Sequence, residues 1–343
     1  MAPQSLERHV MPQSSVAGRN HGPAAGPGLC PADLLLLKPT FNPSYIHNEE
    51  SSNVIPQDWH INGKCPKGTI PIRRIQETHI LRSSSLASFG KKYPPNFHDL
   101  NVPPSAGGEH EHSLAILRGG PFYGTRCDIN AWNPRVEPGD FSLAQIWVTS
   151  DNYNRNTVEA GLMVNPQLYG DNATRLFTYW TDNHNDGNWW LTINGHTVGY
   201  WPNTLLKELQ GGSKVIAWGG EVYNSHHGNG SSTTQMGSGH FAGEGDKKAA
   251  FFRNLVTLDD NGNAIEVTRP MTIVKNPKCY DFQFGGRMEF YYGGKKNNHE
   301  RVGTISLVVP LMVMSAGNLE GGFKGKGLKS FELGRSSVLF EYY

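Results

Sequence analysis

Two glutamates stand apart in this chain. Glu159 opens the phrase Glu-Ala-Gly-Leu-Met-Val-Asn-Pro-Gln-Leu-Tyr-Gly-Asp (159–171), and Glu221 follows Val-Ile-Ala-Trp-Gly-Gly (215–220). Both runs mix β-branched and aromatic residues with glycine, the composition of strands bounded by turns. An unpaired carboxylate on such a strand is costly to bury, so two of them point to a shared site. Facing carboxylates can hold a water between them, one taking its proton as base and the other giving a proton as acid.

Other residues compete for a chemical role. Glu244, in Gly-His-Phe-Ala-Gly-Glu-Gly (239–245), is flanked by glycines and is expected to cap a turn. His240 has no second metal ligand at a suggestive spacing. The His-Glu-His of 110–112 alternates along an extended segment and is expected to face solvent. Neither HExxH, CxxC nor the Asp-Thr/Ser-Gly of aspartic proteases occurs, so no metal site and no cofactor is expected. Gln145, Trp147, Trp189, Tyr200, Trp201, Trp218 and Tyr292 are the amide and aromatic candidates for a groove, although most such rings are expected in the core.

The elements that must hold these residues are strands. Gly 40 and Pro 22 in 343 residues, with charged residues at 18%, suit many short strands and tight turns rather than a helical bundle. Segments 112–118, 121–132, 141–149, 158–164, 175–180, 189–193, 197–201, 215–223, 249–258 and 287–292 carry strand patterns. Within the sandwich region only 202–210 looks helical, and the close spacing of the strands predicts a sandwich or barrel. Residues 1–29 have no periodicity and are expected to be disordered. A short helix is expected within 75–89, and Asn-Val-Pro-Pro-Ser-Ala-Gly-Gly (101–108) is a linker. The formal charge of +1 recommends neither nucleic acid nor an anionic membrane as partner. No apolar run reaches the roughly 20 residues of a bilayer span. The opening Met-Ala-Pro-Gln-Ser-Leu-Glu-Arg lacks the apolar stretch of a signal peptide.

Several phrases carry a resemblance. Leu-Tyr-Gly-Asp-Asn-Ala-Thr-Arg-Leu-Phe-Thr-Tyr-Trp-Thr (168–181), Gly-Asn-Trp-Trp-Leu (187–191), Gly-Tyr-Trp-Pro (199–202), Trp-Gly-Gly-Glu (218–221) and Gln-Met-Gly-Ser-Gly-His-Phe (235–241) resemble the plant neprosin family of glutamic endopeptidases that favour cleavage after proline. Cys-Pro-Lys-Gly-Thr-Ile-Pro-Ile-Arg-Arg (65–74) is similar to the signature of that family's activation peptide. The resemblance implies an all-β, antiparallel two-sheet sandwich with a groove across one face, preceded by a propeptide with little regular structure. It divides the chain into a disordered 1–29, an activation-peptide-like segment and linker at 30–108, a catalytic sandwich at 109–294, and a tail at 295–343 without family text. Glu159 and Glu221 fall on the family's catalytic glutamates, and Gln145 on an amide that steadies the tetrahedral oxyanion. The groove aromatics would then suit the flat ring of proline. Also implied are a Cys30–Cys65 disulfide, a monomer acting on proline-containing peptides, and an extracellular or vacuolar location. Cys279 resembles a family cysteine whose partner is absent here, and Cys127 is expected to fill a strand position.

Two departures bear on function. Relatives carry several strands between the Tyr-Trp-Thr and Gly-Asn-Trp-Trp phrases, where this chain has only Asp-Asn-His-Asn-Asp (182–186). The tail from Lys295 is expected to have no ordered role. Three functions therefore compete: a glutamic endopeptidase made as a zymogen, an inactive shortened relative, and a carbohydrate-binding or glycoside-hydrolysing sandwich. The last leaves the 65–74 leader phrase unexplained.

Overall fold

The computed structural model describes residues 77–82, 109–150, 156–181, 188–193, 196–201, 206–225, 233–295, 301–312 and 338–341. The Cys30–Cys65 pairing and most of the expected propeptide lie outside these residues. Among them no helix is long and apolar enough to cross a membrane.

The strands run β1 (Glu109–Phe122), β2 (Gly124–Trp132), β3 (Phe141–Thr149), β4 (Thr157–Val164), β5 (Arg175–Thr181), β6 (Asn188–Ile193), β7 (His196–Trp201), β8 (Ser213–Asn224), β9 (Ala250–Leu258), β10 (Ala264–Glu266), β11 (Met271–Val274), β12 (Asp281–Phe284), β13 (Phe290–Gly293), β14 (Arg301–Met312) and β15 (Val338–Glu341). They form two antiparallel sheets, ordered β11-β1-β8-β3-β4-β5-β15 and β12-β13-β9-β2-β14-β6-β7, with β10 added beside β9. This is the expected all-β sandwich. Helices are few: α1 (Glu77–Leu81) falls inside the helix predicted for 75–89, and α2 (Pro166–Tyr169) follows β4. The helix expected at 202–210 shows only a 3-10 turn at Lys207–Leu209 among its described residues.

Alternation sorts each strand of the first sheet. In β3, Ala144, Ile146 and Val148 face the second sheet, while Leu143, Gln145 and Trp147 face away from it. In β8, Ile216, Trp218 and Val222 join the inter-sheet core, and Val215 and Ala217 the opposite face. The second sheet contributes Cys127, Ile129, Phe252, Phe290, Tyr292, Ile305 and Leu307 to that core. The Trp218 indole N–H donates to Thr125 Oγ1 at 3.1 Å, so its one polar atom is satisfied inside the core. On the other face Leu114, Ile116, Leu143, Trp147, Met163, Phe177, Val215 and Ala217 make a second apolar cluster.

Residues 301–312 correct the expectation for the tail. β14 lies between β2 and β6, pairing Leu307 with Cys127 on one side and with Ile193 on the other. Its alternating Ile305, Leu307 and Val309 point into the core, a burial that offsets the ordering of the segment. β15 likewise pairs with β5. Cys127 is fully buried in β2 as expected, and Cys127 and Cys279 are both free thiols.

Candidate active site

Gln145 is the centre of the candidate site. Its register partners are Gly219 on β8 and Gly161 on β4, so neither neighbouring strand places a side chain beside it. Both glycines are required. A Cβ at Gly161 would overlap the Ala144 carbonyl and the Gln145 Cβ, and Gly219 takes a φ of +148° against the backbone of Ser113. Glu221 stands opposite Leu143, and Glu159 opposite Trp147. The glutamates are thus the two diagonal neighbours of Gln145, one on each flanking strand. Diagonal side chains stand about 7–8 Å apart at the backbone, within reach of long side chains. Both carboxylates project from the same face over a trough floored by glycine and one amide.

Each carboxylate is buried, with Glu159 at 5% and Glu221 at 3% exposure, and each has a close partner. Gln145 Nε2 donates to Glu159 Oε2 at 2.6 Å. His110 Nδ1 lies 2.5 Å from Glu221 Oε1. Burial without such partners would push the groups toward neutrality.

The His-Glu-His expectation is corrected here. His110, Glu111 and His112 are all buried: they pair with β8, and Tyr223 and Phe141 pack on the His110 ring. His110 and His112 share the face of Glu221, while Glu111 points the other way, toward the Nδ2 of Asn276 at 3.2 Å. Burial holds the Glu111 carboxyl above its ordinary range, against the hydrogen bonds from Asn276 and Asn224. Sequence reasoning missed His110; the signal that could have found it is its two-residue spacing from His112 on a strand that must pair with the Glu221 strand.

The predicted groove residues divide. Trp147 lies on the face of the glutamates, as the register partner of Glu159, and is itself fully buried in the apolar cluster there. Trp189, Trp218 and Tyr292 do not line the trough: all three are fully buried in the inter-sheet core. Large aromatic surface gains more from the interface between sheets than from an open groove. Tyr200 and Trp201 lie on β7, at the edge of the second sheet. Glu244 caps a turn, accepting from the Phe241 N–H at 3.2 Å and pairing with His240 Nδ1 at 3.0 Å. The His240 hydrogen bond holds the Glu244 carboxyl below its ordinary range. Among the described residues no group of three His, Cys, Asp or Glu side chains has a metal-holding arrangement.

The leader reaches the sandwich at one described point. The Arg82 guanidinium donates to the carbonyls of Gln167 at 3.2 Å and Leu168 at 3.3 Å, and Gln167 Nε2 donates back to the Arg82 carbonyl at 3.2 Å. Those carbonyls are the C-terminal end of α2, where a cation is favoured.

Comparison with solved structures finds similarity to scytalido-glutamic peptidase with a peptide based transition state analog, at 12% identity over 54% of this chain and 98% of that one, with a TM-score of 0.33. A second similar structure is SCP-B, a member of the eqolisin family of peptidases in a complex with the tripeptide Ala-Ile-His, at 13% identity, the same coverages and a TM-score of 0.34. The Neprosin family model matches residues 138–187 and 182–295, two pieces that overlap at the β5–β6 connection. The Neprosin activation peptide model matches residues 23–118, from the leader into β1. With leader and sandwich both matched, the chain belongs to the neprosin family.

Proposed function

We propose that the protein is a glutamic peptidase, made with an activation peptide, that cleaves peptide bonds after proline through a water held between Glu159 and Glu221. The observation that carries this is the placement of both glutamates as diagonal neighbours of Gln145 on one sheet face. In the reaction one carboxylate takes a proton from the water as its oxygen bonds to the scissile carbonyl carbon. The carbonyl electron pair moves onto oxygen, where the second N–H of the Gln145 amide stabilises the charge. The other glutamate, protonated, gives its proton to the leaving nitrogen as the C–N bond breaks. Two carboxyls that share a site ionise in separate steps, so one proton on the pair is favoured at acid pH. Such an enzyme would act on peptides in an acidic extracellular or vacuolar space.

Continuity of the sheet from β1 to β5 supports an active enzyme over an inactive shortened relative, because the 182–187 connection lies beyond β5 rather than between the glutamate strands. The test is cleavage of an internally quenched, proline-containing peptide at acid pH by the full chain and by a Glu159→Gln, Glu221→Gln double variant. Cleavage by the parent alone is expected. A parent that melts cooperatively and cleaves nothing, or a double variant that cleaves as fast, overturns the reading.

A further inference from the structure

Glu221 has a basic partner that the peptidase reading leaves unassigned. His110 Nδ1 lies 2.5 Å from its Oε1, both groups are buried, and the contact spans the β1–β8 pair. The imidazole is held from three sides. Tyr223 packs on it at 5.0 Å between centroids, Phe141 meets it edge-on at 5.8 Å, and His112 stacks on it at 6.3 Å with 16° between planes. Tyr223 and Phe141 themselves stack at 5.5 Å, so the ring has little freedom to leave the carboxylate.

The partner of Glu159 is of a different kind. Gln145 is a neutral amide whose nitrogen donates to a carboxylate and whose oxygen accepts from a carboxylic acid, so it can hold Glu159 in either state. An imidazole is cationic below about pH 6.5, and a cation in contact favours the ionised carboxylate. The two carboxylates thus have partners of different charge character, the kind of difference by which acid and base roles are divided.

We propose that His110 is a positioning residue for Glu221, holding it as the carboxylate and so making Glu221 the base and Glu159 the acid. The proposal rests on the peptidase reading. Glu221 takes the proton of the water as the C–O bond forms, Glu159 gives its own to the leaving amine as the C–N bond breaks, and proton exchange with solvent resets the pair. Among the described residues, the charged and titratable groups on the elements next to His110 include Glu221 and Tyr223 on β8, Asp140 next to Phe141 at the start of β3, Glu109, Glu111 and His112 on its own strand, and Lys275, whose ammonium lies 3.4 Å from Glu109. Burial, then Asp140, hold the Tyr223 hydroxyl above its usual range, so it stays neutral at acid pH.

The test compares the pH dependence of kcat/KM for the full chain and a His110→Gln variant, which keeps a hydrogen-bond donor and removes the charge. The acid limb is expected to move to higher pH by about one unit, with about a tenfold loss on that limb and an unchanged KM. A uniform loss with the limb unmoved marks a merely structural residue and overturns the proposal. A second readout needs no activity: the NMR titration of the His110 ring in the parent and in Glu221→Gln. A higher midpoint in the parent is expected, and coincident midpoints overturn the pairing. A parent that cleaves nothing while the midpoints differ overturns the base role together with the peptidase reading, and upholds the pair.

Discussion

At the scale of single residues, the trough depends on what is missing as much as on what is present. A methyl group at Gly161 would press on the Ala144 carbonyl and on Gln145, neither of which can move within a paired sheet. Gly161→Ala is therefore expected to cost about 1–3 kcal/mol, seen as a lower denaturation midpoint, and to displace the Gln145 amide from Glu159. Glu111 makes a different prediction. Because burial holds its carboxyl above the ordinary range, the folded state binds that proton more tightly than the unfolded chain. Its contribution is complete below the usual carboxylate range and is lost as pH rises, the reverse of a salt-bridged carboxylate. Glu111→Gln keeps an acceptor for Asn276 and removes the titration, so the change in Tm between about pH 4 and about pH 7 should shrink in calorimetry. A variant with the parent's pH dependence would place the effect elsewhere. Glu159 and Glu221 were legible as isolated carboxylates in glycine-rich strand text. His110 was not, because a His-Glu-His alternation is the same whether its face meets solvent or packed side chains, and only the pairing with β8 and the packing of Tyr223 and Phe141 decide it.

At the scale of elements, the phrase Trp-Gly-Gly-Glu in β8 is a strand read on two faces: Trp218 enters the core, Gly219 clears the trough, and Glu221 returns to it. The short α2 has a second use. Its N-cap Asn165 accepts from the Leu168 N–H at 3.0 Å, and its far end presents carbonyls to Arg82 of the leader. This contact fastens the activation-peptide segment at the end of β4, the strand that carries Glu159. Two hydrogen bonds from a cation to helix-terminal carbonyls contribute about 1 kcal/mol at a partly exposed site. Arg82→Ala should thus raise the rate of limited proteolysis within 77–108 by about fivefold in the full chain. An unchanged rate would mean the contact does not restrain the leader. The alternating interior strands were the legible ones, whereas β10, β11 and β12 are short and largely exposed, so no buried face imprints a period on them.

At the scale of the whole molecule, the sandwich is closed by chain that lies beyond the family match. That match ends at residue 295, yet β14 at Arg301–Met312 occupies an interior position in the second sheet, between β2 and β6. Without it, β2 and β6 would each lose a partner, and Ile129, Cys127 and Trp189 would lose part of their cover. The family resemblance gave no text for this segment, although Ile305, Leu307 and Val309 carry the same alternation as the strands that were recognised. The relation is simple: an alternating apolar segment of this length can take an interior place between two strands, and β14 does so between β2 and β6. A chain ending at Lys295 is accordingly expected to lose its cooperative unfolding transition, while Leu307→Ala in the full chain lowers stability by about 2–5 kcal/mol, the cost of a cavity in a packed core. Circular dichroism melts of the two variants beside the parent distinguish the outcomes. A shortened chain that melts cooperatively near the parent's temperature would make β14 dispensable, and the glutamate sheet would then stand on the remaining strands alone.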